Sequence, residues 1–261
     1  MRPKTALAVS GFQCRQEIPR SLGDPKEPLA ICNNVDLIIL GDGKYPAFNW
    51  PTEYSTDGWL EFAIETYGSD KVISYKHAGE QSAKRQEYLN IAAQENCKFV
   101  IVWDSDEYIY HDRNRPRYPN WHIFYDRLTR ASRAFQEENL FQMWAYLPSL
   151  SDWDRAGNAT AVNTYQPYVR IIKNPGEIKY STMNHHSFVK RDAEPHDWIN
   201  SWLVIDGVRF SMDSKLRTPE FLEVRNKWAL KQLDDETMRL YWYFEKNPEI
   251  TKQLLKQPRN S

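Results

Sequence analysis

From residue 5 to residue 103 the chain alternates short apolar runs with amphipathic stretches. Thr5 to Ser10 and Val35 to Leu40 are apolar runs of strand length. An unbroken run of that kind is expected where a strand is buried on both faces. Between them, Ile18 to Pro28 is punctuated by Pro and Gly and predicts loop with a short helix. Trp59, Phe62, Ala63 and Tyr67 recur at helical spacing. Thr56 or Asp57 is placed to cap the start of that helix, and Gly68 to close its end. Lys71 to Tyr75 predicts a short strand. Glu80 to Glu95 predicts a second amphipathic helix, with Asn96 as its stop, and Phe99 to Trp103 a fully apolar strand. Strands alternating with helices imply right-handed crossovers and a mainly parallel sheet flanked by helices, an α/β fold. In such sheets ligands gather beyond the carboxyl ends of the strands.

The second half is less regular. Trp121 to Glu138 predicts a helix, and Leu140 to Leu147 and Ala161 to Ile172 predict strands. Thr218 to Asn247 reads as helical, opening on Thr218-Pro219-Glu220 with proline in the first turn and breaking near Asp234-Asp235. With no internal repeat or clean linker, the expectation is one α/β domain over residues 1–215. A helical C-terminal extension over residues 216–261 would pack on it.

Composition narrows the function classes. The chain has 261 residues, with Lys plus Arg at 34 and Asp plus Glu at 35, a net charge of -1. A generic nucleic-acid coat needs a basic excess to displace counterions, so that class is excluded. The longest apolar runs, Leu37 to Leu40 and Phe99 to Trp103, fall far short of the roughly 20 residues of a membrane-spanning helix. No basic-then-apolar leader is visible. Cys14, Cys32 and Cys97 form no Cys-x-x-Cys pair, and an odd count makes no disulfide framework. A reducing, cytoplasmic setting is the expectation. Ten Trp and fifteen Tyr against ten Gly suit a site that stacks on flat or ring-shaped ligands, as well as a well-filled core.

The sharpest chemical signal is Phe99-Val100-Ile101-Val102-Trp103-Asp104-Ser105-Asp106-Glu107. A buried strand ends and three carboxylates follow within four residues. Their mutual repulsion is costly without a cation. Asp104 and Asp106, two apart, can point to the same side of an extended segment. Together they can hold a hard divalent ion, Mn2+ or Mg2+, and leave positions free for phosphate and water. Such an ion neutralises a diphosphate and eases its departure. The alternative for the same residues is a solvated acidic turn.

Upstream stand Asp42-Gly43, then Ser55-Thr56-Asp57-Gly58, then Lys84-Arg85 on the second predicted helix. In this order, and followed by Asp104-Ser105-Asp106-Glu107, they resemble the family-2 glycosyltransferases, which have the Rossmann-like glycosyltransferase-A fold. The resemblance covers roughly residues 5 to 110. It implies a nucleotide-diphosphate sugar as donor and an acceptor hydroxyl on a glycan, small molecule, nucleic acid or protein. It implies that Asp42 or Asp57 lies near the base or ribose and that Lys84 or Arg85 approaches the donor phosphates, with Asp104 beside them. It also implies a histidine from the second half at the metal, for which His185 and His186 are the candidates. An inverting transfer needs a base for the acceptor proton. The matching position, in the loop after the Leu140 to Leu147 strand, offers Asp152 or Asp154. Two other classes use part of this pattern: a metal-dependent nucleotidyltransferase or phosphohydrolase, and a non-catalytic nucleotide-sugar-binding module.

Overall fold

The structure, a computed structural model, describes residues 2–44, 48–112, 114–134, 142–148, 165–181, 188–194, 204–212 and 223–224. The chain divides into two compact units, one of residues 1–46 and 50–218 and one of residues 47–49 and 219–261. Everything below concerns the first. The helix expected over residues 218–247 lies outside the described residues, apart from the two helical residues 223–224.

The first half builds as its periodicity predicts. β1 (Thr5–Gly11), β2 (Leu37–Asp42), β3 (Val72–Lys76) and β4 (Phe99–Asp104) are joined by α1 (Ile18–Leu22), α2 (Ile31–Asn34), α3 (Trp59–Tyr67) and α4 (Gln81–Gln94). The short helix α2 was not legible in the sequence. β5 (Glu107–Ile109) follows β4 after two residues, and α5 (Trp121–Ala134) comes next. Then come β6 (Gln142–Pro148), β7 (Tyr165–Lys173), the small hairpin β8 (Ile178–Tyr180) and β9 (Phe188–Lys190), and β10 (Val204–Met212). The eight-stranded sheet runs β3-β2-β1-β4-β7-β6-β10-β5. β1 to β4 are mutually parallel where they pair. β7 is antiparallel to both β4 and β6, β10 is parallel to β6, and β5 is antiparallel to β10. Strand order 3-2-1-4 is the doubly wound arrangement. Its crossovers leave a crevice at the carboxyl ends of β1 and β4, where the chain departs in opposite directions.

The two faces of the sheet carry two cores, as the strand period of two requires. Leu7, Val9, Ile38, Leu40, Ile101 and Trp103 pack with Ile18, Trp59 and Phe124 from α1, α3 and α5. Ala6, Ala8, Ile39, Val100 and Val102 pack with Tyr88, Leu89 and Ala92 from α4. Burial on both sides is why these strands read as continuous apolar runs. Local signals set the ends. Asn96 adopts a left-handed φ of 56° and closes α4, with Cys97 N–H donating to the Ala92 carbonyl. The Asn120 carboxamide accepts from Ile123 N–H at 3.0 Å and caps α5. Among the described residues no helix is long and apolar enough to cross a membrane.

Candidate functional site

Parallel register sets the carboxyl ends of three strands side by side. Gly11 of β1 is level with Asp42 of β2, and Asp42 with Lys76 of β3. On the other side of β1, Ser10 is level with Asp104 of β4. The first turn of α4 lies over this edge and supplies Lys84 and Arg85. Of the residues singled out in the sequence, Asp42, Asp57, Lys84, Arg85, Asp104 and Asp106 are therefore gathered at one end of the sheet.

Their geometry divides them into residues that anchor the loops and residues at the mouth of the crevice. Asp42 is 1% exposed. Its carboxylate accepts from Ser55 N–H at 3.0 Å, from the Ser55 hydroxyl at 2.6 Å and from Trp59 Nε1 at 3.3 Å. The Ser55 hydroxyl in turn accepts from Gln13 N–H at 2.8 Å. Asp42 thus ties the loop before α3 to the ends of β1 and β2. Asp57 does a parallel job, accepting from Arg15 N–H at 2.8 Å and from Trp59 N–H at 3.4 Å. Gly58, the residue before α3, has φ 71°, a conformation that suits glycine. Partial burial raises the Asp57 carboxyl above its ordinary pKa.

Lys84 is fully buried, and its ammonium donates to the carbonyls of Gly11 at 2.9 Å and Gly43 at 2.7 Å. Burial lowers its pKa from 10.5 to about 8, against the opposing pull of Asp42. It clamps the ends of β1 and β2 together under the crevice. Arg85 points the other way, donating from Nη2 to Asp104 Oδ1 at 2.7 Å. The Arg85 side chain is 9% exposed and that of Asp104 is 41% exposed. The pair therefore sits with its carboxylate open to solvent at the mouth of the crevice.

Glu107 turns inward. It is 2% exposed, accepts from Asp104 N–H at 2.9 Å and pairs with Arg170. Burial pushes its carboxyl up to about 7, while Arg170 draws it down. The three-carboxylate cluster of the sequence is thus two carboxylates at the turn and a third that braces it from beneath. Arg170 was not singled out in the sequence. Its signal was a cation directly before the apolar pair Ile171-Ile172 in a strand, where a buried charge needs a partner. It occupies a bulge: β7 passes from Ile171 to Val169 while β6 passes from Met143 to Trp144. The ladder with β4 ends at Ile171, one residue earlier. Bulges of this kind re-aim a side chain next to a site.

Asp152, Asp154, His185 and His186 lie outside the described residues. Among the described residues no group of three or more His, Cys, Asp or Glu side chains is arranged to hold a metal ion. The described donors at the turn are Asp104 and Asp106. Two carboxylates, one of them solvent-facing, fit the way Mg2+ or Mn2+ is held when substrate phosphates complete its shell.

No family model matches the chain, and no curated protein matches it. Solved structures show distant likeness. S. aureus TarS, residues 1–349, aligns over 85% of this chain and 63% of its own, with 14% identity and a TM-score of 0.44. The same protein in complex with UDP-GlcNAc aligns over 55% of this chain and 34% of its own, with 15% identity and a TM-score of 0.34. HddC from Yersinia pseudotuberculosis aligns over 87% of this chain and 100% of its own, with 14% identity and a TM-score of 0.37. The chain spans less than two thirds of the length of the TarS structures. The fold stands on the strand order and register given above.

Proposed function

We propose that this chain transfers a sugar from a nucleoside-diphosphate sugar to an acceptor hydroxyl, with inversion, using Mn2+ or Mg2+ in a reducing cytoplasmic setting. The observation that carries the reading is the Arg85–Asp104 pair, its guanidinium nearly buried and its carboxylate open to solvent, at the switch point between β1 and β4. A cation and a carboxylate at one crevice serve opposite ends of a metal–diphosphate group. Three buried cysteines without a disulfide suit the reducing setting.

Asp104 and Asp106 would hold the ion, which supplies neutralisation of the diphosphate when bound. Arg85 is placed to exchange its bond with Asp104 for one with a phosphate oxygen. Lys84 keeps the floor of the crevice shut, and Glu107 with Arg170 fixes the backbone of the turn. Asp152 or Asp154 would take the proton from the acceptor hydroxyl as its oxygen attacks the anomeric carbon. The bond from that carbon to the diphosphate breaks, and the nucleoside diphosphate leaves.

The test is release of nucleoside diphosphate from a panel of UDP-, GDP- and TDP-sugars, with Mn2+ or with chelator. Asp104→Asn/Asp106→Asn is the control, because it keeps an acceptor oxygen for Arg85. Metal-dependent release from one donor, lost in the control, is the expected result. Release of pyrophosphate or inorganic phosphate instead would move the protein to nucleotidyl transfer or phosphate hydrolysis.

A further inference from the structure

A second concavity lies beyond the metal turn. It has a volume of about 690 Å³, within the range of roughly 300–1,000 Å³ typical of small-ligand sites. One wall is α1 and the loop after it, and the other is Tyr108 and the residues that follow β5. Tyr108 and Tyr110 alternate with Ile109, which is buried in the core at 5% exposure, so both rings stand on the pocket side. The Arg20 guanidinium lies 3.8 Å from the Tyr108 ring centre and covers that face. Tyr110 is 37% exposed and keeps an open ring at the pocket's edge.

The polar lining has a definite sign. Asp24, Glu27 and Asp112 face Arg20 and His111 around the pocket. Among the described lining residues three carboxylates stand with one permanent cation, and Asp112 is also paired with Arg115 at 3.8 Å, a balance that disfavours a phosphate or a polyanion. Carboxylates are acceptors only, so they suit a ligand rich in hydroxyl donors. Ser21 also lines the pocket, 1% exposed, and its hydroxyl has no hydrogen-bond partner among the described residues. Buried polar groups are rarely left so. An open aromatic ring, an apolar floor and a ring of acceptors together match a neutral sugar, with apolar faces and a hydroxylated edge.

We propose that this pocket binds one ring of a neutral oligosaccharide, the acceptor of the transfer reaction. The acceptor assignment rests on the transferase reading above; the sugar binding does not. Tyr110 is four residues past Asp106, so at most ~14 Å of chain separates them.

The test is saturation-transfer NMR on the full chain with neutral trisaccharides built on glucose, mannose, galactose and N-acetylglucosamine. A sulfated trisaccharide is the charged control. At least one neutral sugar is expected to bind, with affinity falling tenfold or more in Tyr110→Ala and several-fold in Glu27→Gln. Metal-dependent donor hydrolysis should be unchanged in Tyr110→Ala. No binding by any neutral trisaccharide, unchanged affinity in Tyr110→Ala, or tighter binding of the sulfated control overturns the proposal. Donor turnover with no sugar binding sinks this inference alone. Sugar binding without donor turnover sinks the transferase reading and its acceptor assignment, and leaves the pocket as a saccharide site.

Discussion

Two buried charges under the crevice make the sharpest tests at the scale of single residues. Lys84 binds its proton less well in the fold than in the unfolded chain, because burial lowers its pKa from 10.5 to about 8. Between those values the unfolded chain holds more protons, so stability rises with pH there. Lys84→Met removes this gain. The stability of the natural protein relative to Lys84→Met should rise by about 2 kcal/mol from about pH 7.5 to about pH 9.5, read from urea denaturation at each pH. A flat difference would mean the ammonium carries no desolvation penalty. Glu107 and Arg170 are the second case, 2% and 15% exposed in their side chains. Arg170→Met leaves the buried Glu107 carboxyl without its cation, pushes it further toward the protonated form and should cost about 1–3 kcal/mol. Glu107→Gln keeps an acceptor for Asp104 N–H but loses the ion pair. If Asp104 holds the ion as proposed, Glu107→Gln should weaken Mn2+ affinity in the presence of donor by about tenfold or more. Unchanged Mn2+ affinity in a folded Glu107→Gln would confine Glu107 to stability.

At the scale of elements, the site is made by how strands end. Gly43 follows β2 at φ 145°, and a Cβ there would lie 2.2 Å from the His77 carbonyl oxygen. That carbonyl is backbone and cannot swing away. Gly43→Ala should therefore destabilise by more than about 1 kcal/mol and push the β3–α4 connection off β2, loosening Lys84 and Arg85 behind it. Thermal unfolding reads the first effect and donor affinity the second, and a neutral Gly43→Ala would show that this junction is slack. The same logic explains which elements were legible. β1, β2 and β4 announced themselves because burial on both sheet faces demands unbroken apolar runs, whereas the edge strand β3 and the helices α3 and α4 were read from spacing and from the turn residues around them. β5, β8 and β9 are three residues each, too short for any period to register. β10 hid behind Gly207 at φ 106° and a register shift against β6. Asp104 and Asp106 were visible because they end an apolar strand. The inward turn of Glu107 was not, since nothing in Asp-x-Asp-Glu says which carboxylate meets a cation from another strand.

At the scale of the whole first unit, parts distant in sequence act together only through the sheet. Residues 10, 42, 84, 104 and 170 come from five elements, and the register of β1, β2 and β4 with the bulge in β7 brings them to one edge. A ligand that binds such an edge stabilises every element it bridges. With donor and Mn2+ at about 100 times the dissociation constant, binding adds about 2.7 kcal/mol. For a chain of this size that is a rise in Tm of roughly 5–10 °C. Chelator should abolish the rise while leaving the Tm of the ligand-free protein in place, because the clamp of Lys84 and the brace of Glu107 and Arg170 need no metal to form. Asp104→Asn/Asp106→Asn should also abolish it, measured against that variant's own ligand-free Tm, because Asp104→Asn takes the carboxylate from the nearly buried Arg85. A rise that persists in chelator would place the donor on Arg85 and the loop around Ser55 alone. The Asp104–Asp106 turn would then be a solvated acidic turn, and the ion would have no part in binding.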